Sequence, residues 1–217
     1  MDFDRQRLAG AIDHTLLKPD TTVKQVKDAC HAAIDHGFAS VCVTPVMLPY
    51  VANELAGTDI KPCTVVGFPL GTTESVTKAF EAKTSASNGA IELDMVMAIW
   101  ALKQGDTNYV LEDIRSVVRA APECTIKVII ETCLLSKEEK ITACALVIDA
   151  GAHFVKTSTG LAGGGATVDD IRLMRREVGP DFGVKASGGI RTAGDAMVML
   201  EAGANRIGTS AGLSFFT

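Results

Sequence analysis

Two hydrophobic periods alternate along the chain. Short apolar runs rich in β-branched residues are separated by longer segments in which apolar residues recur every three or four positions. The run at 40–43 predicts a buried strand, whereas the apolar residues of 23–34 fall on one face of a helix that Gly37 ends. Because this exchange of periods continues to the end of the chain, it predicts strands and helices in strict alternation.

The alternation predicts eight strands, at 12–17, 40–43, 63–68, 90–97, 125–131, 152–158, 183–186 and 206–209. Helices are predicted at 4–12, between a cap at 20–22 and Gly37, and at 44–55, 73–87, 105–120, 136–150, 167–178 and 192–201. Eight such units favour a (β/α)8 barrel of the TIM type. An open doubly wound sheet is the alternative, but no G-x-G-x-x-G follows the first strand.

The predicted domain organisation is a single barrel domain over residues 1–217, with a short N-terminal helix and a truncated C-terminal tail. The tail is short because the chain ends eight residues beyond Thr209, at Thr217, which leaves no room for a full eighth helix. Its Phe215 and Phe216 could serve either a core or an interface.

Composition narrows the function classes. Hydrophobic residues make up 47% of the chain and aromatic residues only 5%, which suits a parallel sheet covered on both faces. The net charge of −5 gives no basic surface for nucleic acid. The charged start at 1–5 and the lack of a long apolar run argue against a signal peptide and a membrane span. The six cysteines have no C-x-x-C spacing, so we expect free thiols in the cytoplasm.

Two lysines lie near the ends of predicted strands, each before glycines. Lys156 stands in Phe154-Val155-Lys156-Thr157-Ser158-Thr159-Gly160, and Lys185 in Gly183-Val184-Lys185-Ala186-Ser187-Gly188-Gly189. Either lysine alone could simply end a strand and reach into solvent, but the presence of two in the same setting favours a catalytic role. Two neighbouring buried ammonium groups hold their protons less tightly, and a neutral lysine attacks carbonyl carbons.

Further polar residues mark the C-terminal strand ends, where (β/α)8 barrels place their chemistry. Thr15 and Lys18 lie at the end of the first strand, and Cys42 and Thr44 at the end of the second. Asp94, on the fourth, is the candidate proton carrier for a reactive lysine. Glu92 and Lys127 are predicted to form a structural ion pair deeper in the barrel.

Glycine turns follow the last three strands. They contain Gly160, Gly188 with Gly189, and Gly208 before Ser210. Backbone N–H groups at such turns can bind an anion, and phosphate often lies near the last strands of barrels. The side chains of Arg191 and Ser210 could add to such a site.

Six segments of the chain form a distinctive set: Ile12-Asp13-His14-Thr15-Leu16-Leu17-Lys18-Pro19, Val66-Gly67-Phe68-Pro69-Leu70-Gly71, Glu92-Leu93-Asp94-Met95-Val96, Lys127-Val128-Ile129-Ile130-Glu131-Thr132, Phe154-Val155-Lys156-Thr157-Ser158-Thr159-Gly160 and Val184-Lys185-Ala186-Ser187-Gly188-Gly189-Ile190-Arg191. In this order, and from about residue 10 to residue 212, the chain resembles the deoxyribose-phosphate aldolase family. The resemblance implies a metal-free class I aldolase that joins acetaldehyde to glyceraldehyde 3-phosphate and reverses the reaction. By it, Lys156 forms the Schiff base, Asp94 shuttles protons, and Lys185 weakens the hold of Lys156 on its proton. It also implies phosphate binding at Gly160, at Gly188 and Gly189, and at 208–210.

The chain departs from the family pattern at other strand ends. Thr44 stands where the family usually has Asn, Ala98 replaces another Asn, and Trp100 replaces a Gly. We predict that these residues, with Cys42, shape an acceptor pocket that is larger and more apolar, which would alter the aldehyde preference. Neutral family variation is the alternative.

Other functions are compatible with part of this pattern. A different Schiff-base lyase, acting on non-phosphorylated aldehydes, would keep the reactive lysine, and a catalytically silent barrel would bind a phosphometabolite without turnover. The expected partners are small aldehydes and a sugar phosphate, without a metal or cofactor beyond the covalent Schiff base. A homodimer is predicted from the resemblance alone.

Overall fold

Eight parallel strands close into a barrel in the computed structural model, which describes residues 3–216. The strands are β1 (Ile12–Leu16), β2 (Ser40–Val43), β3 (Lys61–Val66), β4 (Glu92–Val96), β5 (Thr125–Ile129), β6 (Phe154–Lys156), β7 (Gly183–Ser187) and β8 (Arg206–Thr209). Each pairs with the next in sequence, and β8 pairs with β1. The predicted (β/α)8 barrel is therefore confirmed. Met1, Asp2 and Thr217, at the ends of the predicted domain, lie outside the described residues.

Helices cover the outside of the barrel. They are α1 (Phe3–Ala9), α2 (Val23–His36), α3 (Leu48–Glu54), α4 (Ser75–Ser87), α5 (Ile99–Lys103), α6 (Thr107–Ala120), α7 (Lys137–Asp149), α8 (Val168–Val178) and α9 (Ala193–Glu201). Their starts are stabilised locally, because the side chains of Thr22, Ser136 and Thr192 accept hydrogen bonds from backbone N–H groups of the first turn. The capping box predicted at 136–139 is present.

The structure differs from the predicted elements in detail. The first helix ends at Ala9 rather than at residue 12, because Ile12 enters the barrel as the first residue of β1. Helix α5 was not predicted, since five residues are too few to establish a helical period. Within the described tail, a short 3-10 helix at Gly212–Phe215 takes the place of an eighth α-helix. Phe216 then stacks on His36 of α2, with 5.1 Å between the ring centroids.

The main core lies between barrel and helices and consists chiefly of aliphatic side chains and alanine, as the composition predicts. Among residues 3–216, no helix is long and apolar enough to cross a membrane. The interior of the barrel is different, because its middle layers carry charges.

Candidate functional site

Charged side chains from β1 and from β4 through β8 meet inside the barrel. The cationic groups are Lys127, Lys156, Lys185 and Arg206, and the carboxylates are Asp13, Glu92 and Asp94. All except Arg206 are buried. They face inward because alternate residues of a strand point to the same side, so that Glu92 and Asp94 on β4 both enter the interior. Each buried charge is tolerated because an opposite charge neutralises it.

Asp94 lies at the centre of this network. Its Oδ2 accepts hydrogen bonds from Lys156 Nζ at 2.7 Å and from Lys185 Nζ at 2.6 Å, and its Oδ1 accepts one from Lys127 Nζ at 2.7 Å. Burial alone would raise the pKa of Asp94, but the three ammonium groups outweigh burial and hold it well below its usual range. The structure thus brings together Lys156, Asp94 and Lys185, the three predicted catalytic residues.

Lys185 is held as a cation. It pairs in register with Lys156 on the neighbouring strand, and its Nζ lies 2.5 Å from Asp13 Oδ2. Burial disfavours its charge, but Asp13 and Asp94 outweigh burial and raise the pKa of Lys185. The expectation that both lysines bind their protons less tightly is therefore wrong for Lys185, because the sequence pattern did not identify the Asp13 carboxylate.

The interior leaves little space beside Lys185. A Cβ atom on Gly208 of β8 would lie 3.1 Å from Lys185 Cε and 2.9 Å from Ser187 Cβ. Glycine at this position therefore makes room for the lysine, but it lies within β8 and does not form the turn predicted for it.

A deeper ion-pair layer supports the central one. Lys127 Nζ lies 2.8 Å from Glu92 Oε2, as predicted for this pair. Arg206 adds a second cation, with Nη2 at 2.7 Å from Glu92 Oε1 and a further hydrogen bond to Asp13. Asp13 and Arg206 were missed by sequence analysis. The period of two could have identified both, because Asp13 alternates with Thr15 on β1 and Arg206 with Gly208 on β8.

A cavity of about 630 Å³ opens above the network at the C-terminal strand ends, a size typical of small-molecule sites. Lys156, which is 3% exposed, is part of its lining. All of the predicted substrate- and phosphate-binding residues line it as well: Thr15, Lys18, Gly160, Gly188, Gly189, Arg191, Gly208 and Ser210. Lys18, Arg191 and Ser210 are exposed. Apolar side chains of Leu17 and Phe68 also contribute to the lining.

The four residues predicted to shape the pocket, Cys42, Thr44, Ala98 and Trp100, do not line this cavity. Ala98 is buried at the start of α5, and Trp100 is 43% exposed, with its ring 4.9 Å from that of Tyr109. Thr44 precedes a 3-10 helix at Pro45–Met47. The cavity at the strand ends therefore does not include Ala98 or Trp100, and their effect on the aldehyde preference stays a prediction.

Two thiols adjoin the charged network. Cys42 and Cys63 are register partners on β2 and β3, both fully buried, and Cys63 Sγ donates to Asp94 Oδ1 at 3.5 Å. A hydrogen bond from Cys63 lowers the pKa of Cys42 against the effect of burial. The ligand atoms of Cys42, Cys63 and Asp94 lie within 4.8 Å of one another, close enough to consider a metal ion. Three ammonium groups already occupy the Asp94 carboxylate, however, so this donor set suits a dication poorly.

His14 lines the cavity from β1 and is 5% exposed. Its ring lies 5.8 Å from that of Phe38 and it has no acidic partner within the described part of the chain. Burial lowers the pKa of His14 to about 4, so the imidazole is neutral at neutral pH.

A second buried ion pair lies outside the barrel wall and was not predicted. Lys78 of α4 donates to Asp113 Oδ2 of α6 at 2.6 Å and to the Val96 carbonyl oxygen at 2.9 Å. Both side chains are fully buried. The pair joins two helices to the end of β4, two residues beyond Asp94.

Comparison with known proteins gives one consistent family. The model of the DeoC/LacD family aldolases matches residues 7–217. The chain is 57% identical to a deoxyribose-phosphate aldolase of Streptococcus equi subsp. zooepidemicus over 203 residues, covering 94% of this chain and 92% of the relative. It is 54% identical to that of Brevibacillus brevis over 206 residues, covering 95% and 93%. The tetrameric deoxyribose phosphate aldolase structure from Aeropyrum pernix superimposes with a TM-score of 0.91 at 34% identity, covering 98% of this chain and 92% of that one.

Proposed function

The chain belongs to the DeoC/LacD family of aldolases, and on this premise we propose that it cleaves 2-deoxyribose 5-phosphate to acetaldehyde and glyceraldehyde 3-phosphate and catalyses the reverse addition. One observation carries the proposal. Lys156 and Lys185 both donate to one oxygen of Asp94, and Lys156 adjoins a cavity lined by glycine turns and two cationic side chains.

The proposed reaction begins with neutral Lys156, which attacks the aldehyde carbon of the open-chain sugar. The carbinolamine loses water to give an iminium ion, with Asp94 moving the protons. The bond between the second and third carbon atoms then breaks as the hydroxyl of the third carbon loses its proton. The electron pair of the broken carbon–carbon bond moves toward the iminium ion, which acts as the electron sink and becomes an enamine. Glyceraldehyde 3-phosphate leaves, the enamine is protonated at carbon, and hydrolysis releases acetaldehyde and Lys156.

Charge balance supports Lys156 as the nucleophile. The interior holds four cationic groups against three carboxylates, so loss of one proton from a lysine leaves the network balanced. Lys127 and Lys185 each contact at least two carboxylates, whereas Lys156 contacts only Asp94 and reaches the cavity. Of the three lysines, Lys156 is therefore the one placed to meet the substrate, while Lys185 remains the neighbouring cation.

The opposite end of the substrate is proposed to bind near the glycine turns. Four glycines line this part of the cavity: Gly160, Gly188, Gly189 and Gly208. Because they lack side chains, the phosphate can approach their backbone N–H groups closely, and Ser210 adds a hydroxyl group. Thr15, Lys18 and Arg191 line the same cavity, and the two cations favour an anion. Fixing the phosphate orients the carbonyl group of the three-carbon aldehyde toward the enamine carbon.

The remaining assignments follow from the same proposal. The chain acts as one barrel domain over residues 1–217, through a covalent lysine adduct and without a metal ion. All six cysteines are free thiols, which favours the reducing cytoplasm. Assembly with copies of itself, as a homodimer or larger, is proposed because the relative from Aeropyrum pernix is described as tetrameric. Sedimentation of the purified protein measures that assembly.

Borohydride trapping with acetaldehyde tests the proposed nucleophile. The wild type should carry a reduced two-carbon adduct on Lys156, located by peptide mass spectrometry, and Lys156→Met should not. Cleavage of 2-deoxyribose 5-phosphate is measured in parallel by coupling release of glyceraldehyde 3-phosphate to its reduction. An adduct without cleavage would indicate another Schiff-base lyase, and binding without an adduct would indicate a silent metabolite-binding barrel. Either result would overturn the proposed function.

A further inference from the structure

Among residues 3–216, Glu131 is the only non-glycine residue in the left-handed region of backbone space, with φ at 56°. It lies two residues beyond the end of β5 and is 1% exposed. A left-handed conformation costs a non-glycine residue about 1–2 kcal/mol relative to glycine. Such a cost suggests that the side chain is needed at this position, because glycine would adopt the same backbone more readily.

The Glu131 carboxylate binds the loop segment after β6 through Oε2, and its Oε1 accepts from the Cys133 thiol, with Sγ 3.9 Å away. No basic group of the described chain lies within ion-pair distance of either oxygen. Its Oε2 accepts hydrogen bonds from the backbone N–H of Thr159 at 3.0 Å and from the Thr159 hydroxyl at 2.5 Å. The Thr159 hydroxyl oxygen in turn accepts from the N–H of Leu161 at 3.1 Å. The carboxylate therefore fixes both sides of Gly160, through three linked hydrogen bonds.

This turn belongs to the wall of the substrate cavity. Thr159, Gly160 and Leu161 all line it, three to five residues after Lys156. The turn also packs on the next glycine turn, because a Cβ atom on Gly188 would lie 3.4 Å from Gly160 Cα. Displacement of the Thr159–Leu161 turn would consequently move both glycine turns relative to the cavity.

The contact of Glu131 is with this turn and not with the lysines. Lys156 is held separately, by Asp94 and by the ladder hydrogen bond from Ile130 N–H to the Lys156 carbonyl oxygen at 3.0 Å. A change at Glu131 should therefore affect the glycine-turn end of the cavity more strongly than the nucleophile.

We propose that Glu131 is a positioning residue that holds the Thr159–Leu161 turn in the geometry that binds the phosphate group of the substrate. The inference rests on the proposed function and deepens it by assigning affinity for the phosphorylated substrate to a buried carboxylate that does not itself touch the anion. A negative charge near a phosphate is unfavourable in itself, so the contribution is geometric.

The decisive variant is Glu131→Gly, because glycine relieves the left-handed backbone while removing the carboxylate. We expect KM for 2-deoxyribose 5-phosphate to rise about tenfold or more, the effect of losing a buried charge-assisted hydrogen bond. Borohydride trapping of acetaldehyde and kcat/KM for non-phosphorylated 2-deoxyribose should change by less than about threefold, because these substrates lack the anion. Glu131→Gln, which keeps an acceptor at the same place, should restore KM to within about threefold of the wild type.

Thr159→Val provides a second measurement that does not alter Glu131. It removes the hydroxyl from the hydrogen-bond chain but keeps the backbone N–H, so a smaller rise in KM with the same selectivity for the phosphorylated sugar is expected. Thermal unfolding of each variant establishes that it is folded.

Three results would overturn the inference: an unchanged KM in Glu131→Gly, an equal loss on phosphorylated and non-phosphorylated sugar, or a Glu131→Gln variant as impaired as Glu131→Gly. The wild type in the same assays separates this failure from that of the proposed function. A wild type that neither traps acetaldehyde nor cleaves the sugar phosphate refutes the function, whereas an active wild type with an unaffected Glu131→Gly refutes only the role of Glu131.

Discussion

Replacing Asp94 by asparagine removes the one carboxylate that three ammonium groups share. Lys127 donates to one carboxylate oxygen, and Lys156 and Lys185 donate to the other. An asparagine side chain has one oxygen and one NH2 group, so its NH2 must face at least one ammonium group. The change also leaves four cationic groups facing the two remaining carboxylates.

The expected magnitudes are large for both stability and activity. Breaking a buried ion pair from one side costs about 3–5 kcal/mol. With a slope of about 2–3 kcal/mol per molar urea for a domain of this size, the midpoint of unfolding should fall by roughly 1–2.5 M. Loss of a positioned acid–base group should lower kcat/KM for the sugar phosphate by about 10²–10⁴-fold.

Glu92→Gln is the matched control, because it also removes one interior negative charge. Glu92 contacts Lys127 and Arg206 but neither Lys156 nor Lys185. We expect a comparable loss of stability, about 3–5 kcal/mol, with kcat/KM reduced by less than about tenfold. Urea titration can follow the fluorescence of Trp100, the single tryptophan, which packs on Tyr109. An Asp94→Asn variant with activity within tenfold of the wild type, or a Glu92→Gln variant with an equal loss of activity, would refute the role given to Asp94.

Three further predictions follow from the same contacts. Gly208→Ala should lower kcat/KM about tenfold or more, because the added Cβ atom would displace the Lys185 side chain. Steady-state assays on the folded variant measure this loss, and an unchanged kcat/KM would contradict it. His14 has a folded pKa of about 4 against an ordinary value of 6.5, so its contribution to stability is complete above pH 6.5 and is lost as pH falls toward 4. Urea midpoints of the wild type should therefore fall more steeply across that window than those of His14→Leu, and parallel curves would contradict the shift. Lys78→Met should destabilise the fold by about 3–5 kcal/mol, because it leaves the Asp113 charge buried and unpaired. The double variant that also carries Asp113→Leu should recover part of the lost stability. A double-mutant cycle without coupling energy would refute this pairing.

The barrel fold could be predicted from the sequence because the strands and helices that form it are recognised from neighbouring residues. Strand β2 and strand β8 have the predicted bounds, since short apolar runs ended by Gly, Thr or Pro need no tertiary information. Helix α5 was missed because five residues hold little more than one helical turn. Its omission had a consequence for the site. Without α5, Ala98 and Trp100 were assigned to the cavity, whereas Ala98 is the buried cap of α5 and Trp100 is partly exposed beside Tyr109.

Part of the candidate site could also be predicted from the sequence. Lys156, Asp94 and Lys185 were identified because strand ends converge in a barrel and the resemblance to a family agreed with that convergence. Asp13 and Arg206 were not identified, although they determine the charge state of Lys185 and the support of Glu92. From the sequence, Glu131 could be placed only at a strand end. Its left-handed backbone and its hydrogen bond to Thr159, in the loop after the next strand, are visible only in the structure.

The sequence by itself determined the order of strands and helices and the two strand-end lysines with the glycines that follow them, because each depends on residues close together in the chain. Only the tertiary structure decided which carboxylate each lysine contacts, that Lys185 remains a cation, and which side chains reach the cavity. These properties depend on distances of a few ångströms between residues separated by tens of positions along the chain. Electrostatic energies inside a barrel are governed by those distances and by burial, which no periodicity records.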